Sequence, residues 1–163
     1  MSRVRMRLRP LPVPSPADAP PYWRSLRTDD QERLGPLLWR AYRGTIDDNG
    51  ETLGDAAAEV QRLYAGTYGR LLLDCSCVIA EAERMISAAI VTVHDGAPLL
   101  AFSITEPSCQ KQGLASALMR ASCARLAATG FDELRLVVTD GNVAAQRLYA
   151  RLGFAAVRGD PRA

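Results

Sequence analysis

Apolar and polar residues follow two different periods along this chain, one typical of strands and one typical of helices. Residues 3–9 alternate between apolar residues and arginines, which predicts a half-buried first strand. Between residues 71 and 105 the apolar runs are short and are separated by turn signals, which predicts three antiparallel strands, at residues 77–82, 85–94 and 98–105. A further strand is predicted at residues 133–139. It should lie parallel to the preceding strand, because a helical segment connects the two.

Four segments have the apolar spacing of amphipathic helices. The first begins at Thr28-Asp29-Asp30-Gln31, which has the spacing of a capping box, and Pro36 is expected to kink or shorten it. The other three helices are predicted to begin near Thr52 or Asp55, after Gly113, and at the N-cap Asn142. After the last helix, residues 154–157 are expected to form a brief final strand.

The length and composition favour one folded domain that extends over residues 1–163. A chain of 163 residues with 48% hydrophobic residues can bury roughly 68–70% of its unfolded surface around a single core. Residues 10–21 contain six prolines, so we interpret residues 10–27 as a proline-rich connector.

Charge and hydropathy argue against two classes of partner. The formal net charge is only +2 and the arginines are spread along the chain, so we expect no nucleic-acid partner. No apolar run approaches the ~20 residues of a membrane span, and the basic N-terminus lacks the hydrophobic region of a signal peptide. We therefore expect a cytoplasmic protein with no membrane partner.

The four cysteines give little support for a metal or redox site. Cys75 and Cys77 form a C-x-C pair, but no second pair and no histidine lies at the spacing of zinc ligands, so no metal is expected. Cys109 lies beside a polar loop, while the only histidine, His94, falls in a turn elsewhere. We interpret Cys109 as a small loop residue rather than a nucleophile.

That polar loop, Gln110–Ala115, lies between strand 98–105 and the third helix. The first N–H groups of a helix have no intrahelical partners, and an anion is their natural ligand. Gly113 has no Cβ, which allows a phosphate to approach the backbone, and Lys111 is the only lysine in the chain. The loop is therefore either a phosphate-binding site or an ordinary polar turn before a helix.

A second motif, at the start of the last helix, gives the loop a context. Gln110-x-x-Gly113-x-Ala115 and Asn142-x-x-Ala145-x-x-Leu148-Tyr149-x-x-Leu152-Gly153-Phe154 each follow a strand, in this order. Together they resemble the acetyl-CoA-binding core of the GNAT superfamily of N-acetyltransferases, over residues 76–157. The resemblance implies an α/β fold with a mixed, mostly antiparallel sheet, a splayed parallel central strand pair and about four flanking helices. Residues 98–157 would form the acetyl-CoA-binding core.

The resemblance also implies which residues hold acetyl-CoA, the cosubstrate. The pantetheine arm would lie in the splay and bond to the backbone of Ser103, Ile104 and Thr105. Asn142 would contact the same arm, although it could instead be a plain helix cap. The pyrophosphate would bind the backbone amides of the polar loop, which comprises Gln110, Lys111, Gln112, Gly113, Leu114 and Ala115.

Two residues are candidates for the catalytic groups. In the family, the residue that matches Tyr149 donates a proton to the departing thiolate, although an aromatic residue here could also belong to the core. An acceptor amine must lose a proton, and Glu106, at the end of strand 98–105, is the nearest candidate for that general base. The strand before Asn142 reads LRLVVT and lacks the glutamate that many family members carry there. Glu106 could equally be a solvated turn residue.

The acceptor site is expected in the connection between the first two helices, which sets specificity in the family. Its acidic residues would suit a cationic amine, or they could simply favour the N-terminus of the next helix. The candidate substrate-binding residues are Tyr42, Asp47, Asp48 and Glu51.

These features favour an N-acetyltransferase that moves the acetyl group of acetyl-CoA to a primary amine by direct attack on the thioester. The alternative is a non-catalytic acyl-CoA-binding sensor or interaction module. Few residues follow Phe154, so a partner chain could complete the sheet edge in a homodimer.

Overall fold

The arginine-rich segment near the N-terminus forms strand β1, Arg3–Leu8, in which Met6 and Leu8 are buried and the arginines are exposed. This is the alternation that the sequence predicts. The computed structural model describes residues 2–13 and 22–158. Seven further strands join β1 in one sheet: β2 Trp23–Ser25, β3 Arg70–Leu71, β4 Cys77–Glu81, β5 Arg84–His94, β6 Ala97–Thr105, β7 Leu134–Thr139 and β8 Ala155–Ala156.

The described residues also form four α-helices, none of which has the length and apolar character needed to cross a membrane. The Thr52 hydroxyl accepts a hydrogen bond from the Asp55 N–H at 3.1 Å and caps the second helix. The Asn142 side chain accepts one from the Ala145 N–H at 3.2 Å and caps the fourth. These starts agree with the sequence prediction. The helices are α1 Gln31–Tyr42, α2 Leu53–Tyr64, α3 Leu114–Ala128 and α4 Val143–Arg151.

The strands lie in the order β2-β4-β5-β6-β7-β1-β8, and β3 pairs with β5. The neighbouring strands are antiparallel except for β6 and β7, which are parallel and are connected through α3. The expected fold class is therefore confirmed: a mixed, mostly antiparallel sheet with a parallel central pair and four flanking helices.

Each face of the sheet has its own hydrophobic core. On one face, α1 and α2 pack on β4 to β6, with Leu37, Leu63 and Ile90 among the fully buried residues. On the other face, α3 packs on β4 to β7 and β1, and α4 covers the edge of this core. Leu118 and Leu134 are fully buried there. The sheet is therefore the middle layer, and any opening between its central strands leads to both cores.

The start of α1 differs from the sequence prediction in two respects. The expected capping box at Thr28–Gln31 is replaced by a short 3-10 turn, in which the Asp30 carboxylate accepts from the Arg27 N–H at 2.8 Å. The two oxygens of Asp30 also accept hydrogen bonds from the Arg24 guanidinium, at 2.7 and 2.8 Å. α1 then continues through Pro36, because buried leucines hold both of its halves against the sheet.

Part of the segment that we interpreted as a connector is a strand. β2 lies within residues 10–27 and pairs with β4 in antiparallel register, from Trp23 opposite Ile79 to Ser25 opposite Cys77. A run of three half-buried residues has too little periodicity to mark a strand in the sequence. Residues 14–21 of the connector lie outside the described residues.

Candidate active site

The two parallel strands in the centre of the sheet separate almost as soon as they meet. β6 and β7 form a single bridge, between Leu99 and Arg135, near the start of both strands. Opposite β5, the register of β6 shifts around Ala101, which is the extra residue of a β-bulge. The bulge increases the local twist and turns the end of β6 away from β7. A cleft therefore opens between the carboxyl ends of the two strands.

One edge of β6 faces this cleft with unpaired backbone groups. The Glu106 N–H donates to the Ile86 carbonyl at 2.8 Å, which fixes the alternation of the β5–β6 ladder. In that alternation, Ile104 bonds toward β5, while Ser103 and Thr105 direct their backbone groups toward the cleft. Ile104 lies opposite Ala88 of β5, so the expectation that its backbone contacts the pantetheine arm is not supported by this register.

The polar loop at Gln110–Ala115 leads from β6 into α3. Gly113 adopts a φ of +79° and Lys111 one of +63°, so the chain turns through two left-handed residues before the helix begins. A Cβ at Gly113 would meet nothing within 4 Å, so glycine is favoured here by its φ rather than by space. The first bond of α3 runs from the Ala117 N–H to the Gly113 carbonyl at 3.0 Å. The amides before Ala117 consequently have no acceptor within the helix.

Exposure differs along this loop. Gln110 to Gly113 are exposed, whereas Leu114 and Ala115, the first two residues of α3, are half-buried. The Gln110 side-chain amide donates to the Thr105 carbonyl at 3.3 Å, on the edge of β6 that faces the cleft. The loop thus lies directly beyond the open edge of β6, and the Gln110 side chain bonds the loop to that edge.

A cavity of about 590 Å³ occupies the space between the two strands and the helices α1, α2 and α4. It brings together residues that are far apart in sequence, from Arg3 to Tyr149. The sequence-predicted residues that line it are Tyr42, Asp47, Asp48, Glu51, Ser103, Asn142 and Tyr149.

Tyr149 lies on the face of α4 that looks into the cavity, and its ring packs against Phe154 at a centroid distance of 5.8 Å. Burial raises the pKa of its phenol, an effect that the Ser103 side chain opposes and the Asp47 carboxylate reinforces. Burial likewise raises the pKa of Tyr42, and the neighbouring Tyr149 and Asp47 add to that shift. Both phenols are thus held in the protonated form.

Asp47 reaches across the mouth of the cavity from the loop that connects α1 and α2. One of its carboxylate oxygens accepts a hydrogen bond from the Thr139 hydroxyl at 2.5 Å, and the other accepts from the Asn142 side-chain amide at 3.3 Å. Thr139 is the last residue of β7, and Asn142 caps α4. The Asp47 carboxylate therefore connects the loop between α1 and α2 to the carboxyl end of the cleft between β6 and β7. Sequence reasoning missed Thr139, whose only signal is its position at the carboxyl end of a central strand.

The other two acidic residues of the loop bind their own loop instead. Asp48 accepts from the N–H groups of Gly44 and Gly50 at 2.7 and 2.9 Å, and Glu51 accepts from the Asn49 N–H at 2.9 Å. These backbone hydrogen bonds lower the pKa of both carboxyls. Asp48 and Glu51 therefore shape the loop and keep a negative charge at the rim of the cavity.

The sequence itself matches one family model over most of its length. Residues 37–154 match the model of the acetyltransferase (GNAT) family. The chain belongs to the GNAT acetyltransferase family. No curated protein matches the chain in sequence.

Solved structures of this family share the fold of the GNAT chain described here. PaiA N-acetyltransferase from Thermoplasma acidophilum, in complex with coenzyme A, superposes with a TM-score of 0.70 at 16% identity, covering 85% of this chain and 92% of that chain. A GNAT family acetyltransferase from Brucella melitensis, in complex with acetyl-CoA, gives 0.63 at 21% identity, covering 86% and 88%. A GNAT family protein from Novosphingobium aromaticivorans gives 0.67 at 21% identity; the match covers 96% of this chain but only 60% of that one.

Glu106 lies outside the lining of the cavity of this GNAT protein. Its side chain is 6% exposed and is held by two guanidinium groups, Arg40 Nε at 2.6 Å and Arg84 Nη2 at 2.8 Å. Each oxygen of this carboxylate is thus engaged by a guanidinium group in a charge-assisted hydrogen bond, away from the cavity. The expectation that Glu106 is the general base is not supported by this placement. Nor is Glu106 a solvated turn residue; it ties α1 and β5 to the end of β6.

The paired cysteines belong to the cores. Cys75 and Cys77 are buried free thiols, and burial raises the pKa of Cys77 to about 11. Such thiols are protonated at neutral pH, so they are not reactive thiolates.

Proposed function

We propose that this protein transfers an acetyl group from acetyl-CoA to a primary amine. The observation that carries the proposal is the cleft between β6 and β7, which has an open backbone edge on one side and a half-buried, protonated phenol, Tyr149, at its wall. Membership of the GNAT family and the CoA and acetyl-CoA complexes of the two similar structures support the same cosubstrate.

The residues present fit the two ends of acetyl-CoA. The amides before Ala117 and the left-handed turn at Lys111 and Gly113 provide N–H donors and a positive charge for the pyrophosphate. On the open edge, the Thr105 N–H provides a donor and the Ser103 carbonyl an acceptor for the amide groups of the pantetheine arm, in the manner of an added strand. Asn142 stands at the opposite side of the cleft and bonds to Asp47 in this structure.

The chemistry proposed at the thioester is a direct transfer. The neutral amine attacks the thioester carbonyl, a C–N bond forms, and the Ser103 N–H on the cleft edge stabilises the oxyanion. The C–S bond then breaks, and the Tyr149 phenol gives its proton to the departing thiolate. General acid catalysis of this kind typically contributes about 10²–10⁴-fold in rate.

The charge around the acceptor side favours a cationic amine. Asp47, Asp48 and Glu51 line that side together with Tyr42. The loop carboxylates of Asp48 and Glu51 stay ionised because backbone N–H groups hold them in that form. A second ammonium group on the acceptor would meet these charges while its reacting amine points to the thioester.

A thiol-release assay tests the proposal directly. With acetyl-CoA as donor, we expect release of free CoA with both 1,4-diaminobutane and 1-aminobutane, and a higher kcat/KM for the diamine. Absence of thiol release with either amine and with a wider panel of primary amines, in a protein that binds CoA in calorimetry, would support the non-catalytic acyl-CoA sensor. Equal kcat/KM values for the two amines would overturn only the preference for a cationic acceptor.

A further inference from the structure

An acetyl transfer from a thioester to an amine needs a group that takes the proton of the amine. Glu106 does not meet this need, because two arginines hold it outside the cavity lining. The proton acceptor must therefore be sought among the carboxylates that line the cavity, which are Asp47, Asp48, Glu51, Asp55 and Glu59.

Four of these five carboxylates are engaged on their own helix or loop. Asp48 and Glu51 accept from backbone N–H groups of their loop. Asp55 accepts from the Thr52 N–H and hydroxyl, each at 2.8 Å, in the capping box of α2. Glu59 is bound by Arg62 and by the Tyr68 hydroxyl. Each of these carboxylates thus has a structural role on the side of the cavity away from the splay.

Asp47 is different in position and in its partners. Its two side-chain hydrogen bonds come from the Thr139 hydroxyl and the Asn142 amide, at the end of β7 and the start of α4, and not from its own loop. Like Asp48, Glu51 and Asp55, it makes no ion pair within residues 2–13 and 22–158. A carboxylate has about four lone-pair sites, so each oxygen keeps one for a further donor. Asp47 also lies close enough to Tyr149 for its charge to act on that phenol.

We propose that Asp47 is the catalytic base of this acetyltransferase, and the inference rests on the function proposed above. The amine nitrogen forms its bond to the thioester carbon and becomes positively charged. Its proton then passes to a free lone pair of the Asp47 carboxylate, while the C–S electron pair leaves with the thiolate and takes the proton of Tyr149. After product release, Asp47 returns its proton to solvent and Tyr149 regains one, so both groups are restored.

The placement explains why the loop crosses the mouth of the cavity. Thr139 and Asn142 hold the two oxygens of Asp47 from the side of β7 and α4, so the carboxylate has a fixed direction before an acceptor arrives. Ile46, the preceding residue, packs on Gly141, where an added Cβ would approach its side chain to 2.4 Å. The loop is thus seated on the turn between β7 and α4 at two successive residues.

The experiment compares Asp47→Asn, Asp47→Ala and Asp47→Glu with the wild type in thiol release from acetyl-CoA, with 1,4-diaminobutane as acceptor. Asp95→Asn is the matched control, because it removes the same charge from an exposed hairpin turn that does not line the cavity. For Asp47→Asn and Asp47→Ala we expect kcat to fall about 10²–10⁴-fold with the KM for acetyl-CoA within about twofold of wild type. Asp47→Glu should recover part of kcat. Formate should restore part of kcat to Asp47→Ala in a concentration-dependent way, whereas sodium chloride at equal ionic strength should not.

The possible results separate this inference from the proposed function. An active wild type whose Asp47→Asn variant keeps kcat within threefold overturns the base assignment alone. A raised KM for acetyl-CoA with unchanged kcat and no effect of formate also overturns it, and makes Asp47 a positioning residue for Asn142. A wild type that binds CoA but releases no thiol with any amine overturns both proposals.

Discussion

The backbone bridge between Leu99 and Arg135 is the point at which β6 and β7 separate. Beyond this pair, β6 keeps its antiparallel bonds to β5 and β7 keeps its bonds to β1, while the two strands share no further bridge. The free edges on both sides of the cleft therefore result from a fold in which two half-sheets meet at one point. The candidate groups for chemistry, Tyr149 and Asp47, lie along the opening of that cleft.

Replacement of Tyr149 by phenylalanine should remove the general acid and leave the fold intact. Phenylalanine keeps the ring contact with Phe154 and loses only the hydroxyl that faces Ser103. We expect kcat for thiol release to fall about 10²–10⁴-fold, with little change in the calorimetric affinity for CoA. Unchanged turnover in Tyr149→Phe would show that the thiolate leaves without this phenol.

The left-handed conformation of Gly113 should matter for CoA binding. An L-residue at this φ costs about 1–2 kcal/mol, so Gly113→Ala should either lower stability by that amount or shift the loop to another conformation. The control is Gly96→Ala in the β5–β6 hairpin, which has a φ of +75° and equally open surroundings. We expect a similar loss of stability in both variants, by urea unfolding, and a calorimetric loss of CoA affinity only in Gly113→Ala. Equal CoA affinity in the two variants would argue against the phosphate-binding role of the loop.

The sequence predicts the parts of this molecule that depend on local patterns. Strand alternation, the capping residues Thr52 and Asn142, and the glycine before α3 are all local signals, and each has the structure expected of it. The resemblance of the two motifs to the GNAT family also predicts how the central strands are arranged. The fold class and the family could therefore be inferred before any coordinates were known.

The partners of the charged residues could not be inferred in the same way. The position of Glu106 after β6 predicts a place beside the cleft, but its two arginines come from α1 and from the start of β5, 66 and 22 residues away. Asp47 meets Thr139 and Asn142 across more than 90 residues. Such contacts depend on how layers pack, and no period or spacing in the sequence encodes them.

The buried thiols predict how stability changes at alkaline pH. Burial raises the pKa of Cys77 to about 11 and that of Cys123 to about 12, from about 9 in the unfolded chain. A group whose pKa is raised in the folded state stabilises it below the unfolded pKa, and this contribution is lost as pH rises toward the folded pKa. The free energy of unfolding in urea should therefore fall between pH 9 and 11, and the fall should be smaller in Cys123→Ala. A free energy independent of pH over this window in the wild type would contradict the burial of these thiols.

The Glu106 ion pairs predict a variant that distinguishes a structural from a catalytic role. Glu106→Gln removes the charge and leaves Arg40 and Arg84, whose side chains are 29% and 55% exposed, without their carboxylate. Because the arginines are partly solvated, we expect a loss of about 1–3 kcal/mol in the free energy of unfolding. The control is Glu83→Gln, which breaks an exposed pair with Arg33 and should change stability by less than about 1 kcal/mol.

The kinetics of the same variant decide whether Glu106 takes part in the reaction. If Glu106 only fixes the end of β6 to α1 and β5, Glu106→Gln should change kcat by less than about tenfold at a temperature where it is folded, because the groups along the cleft remain in place. A general base would instead cost about 10²–10⁴-fold in kcat at unchanged stability. Thiol release at 15 °C and urea unfolding of the same preparations measure the two effects separately. A large loss of kcat without a loss of stability would show that Glu106 is the proton acceptor. The assignment of the base to Asp47 would then be wrong.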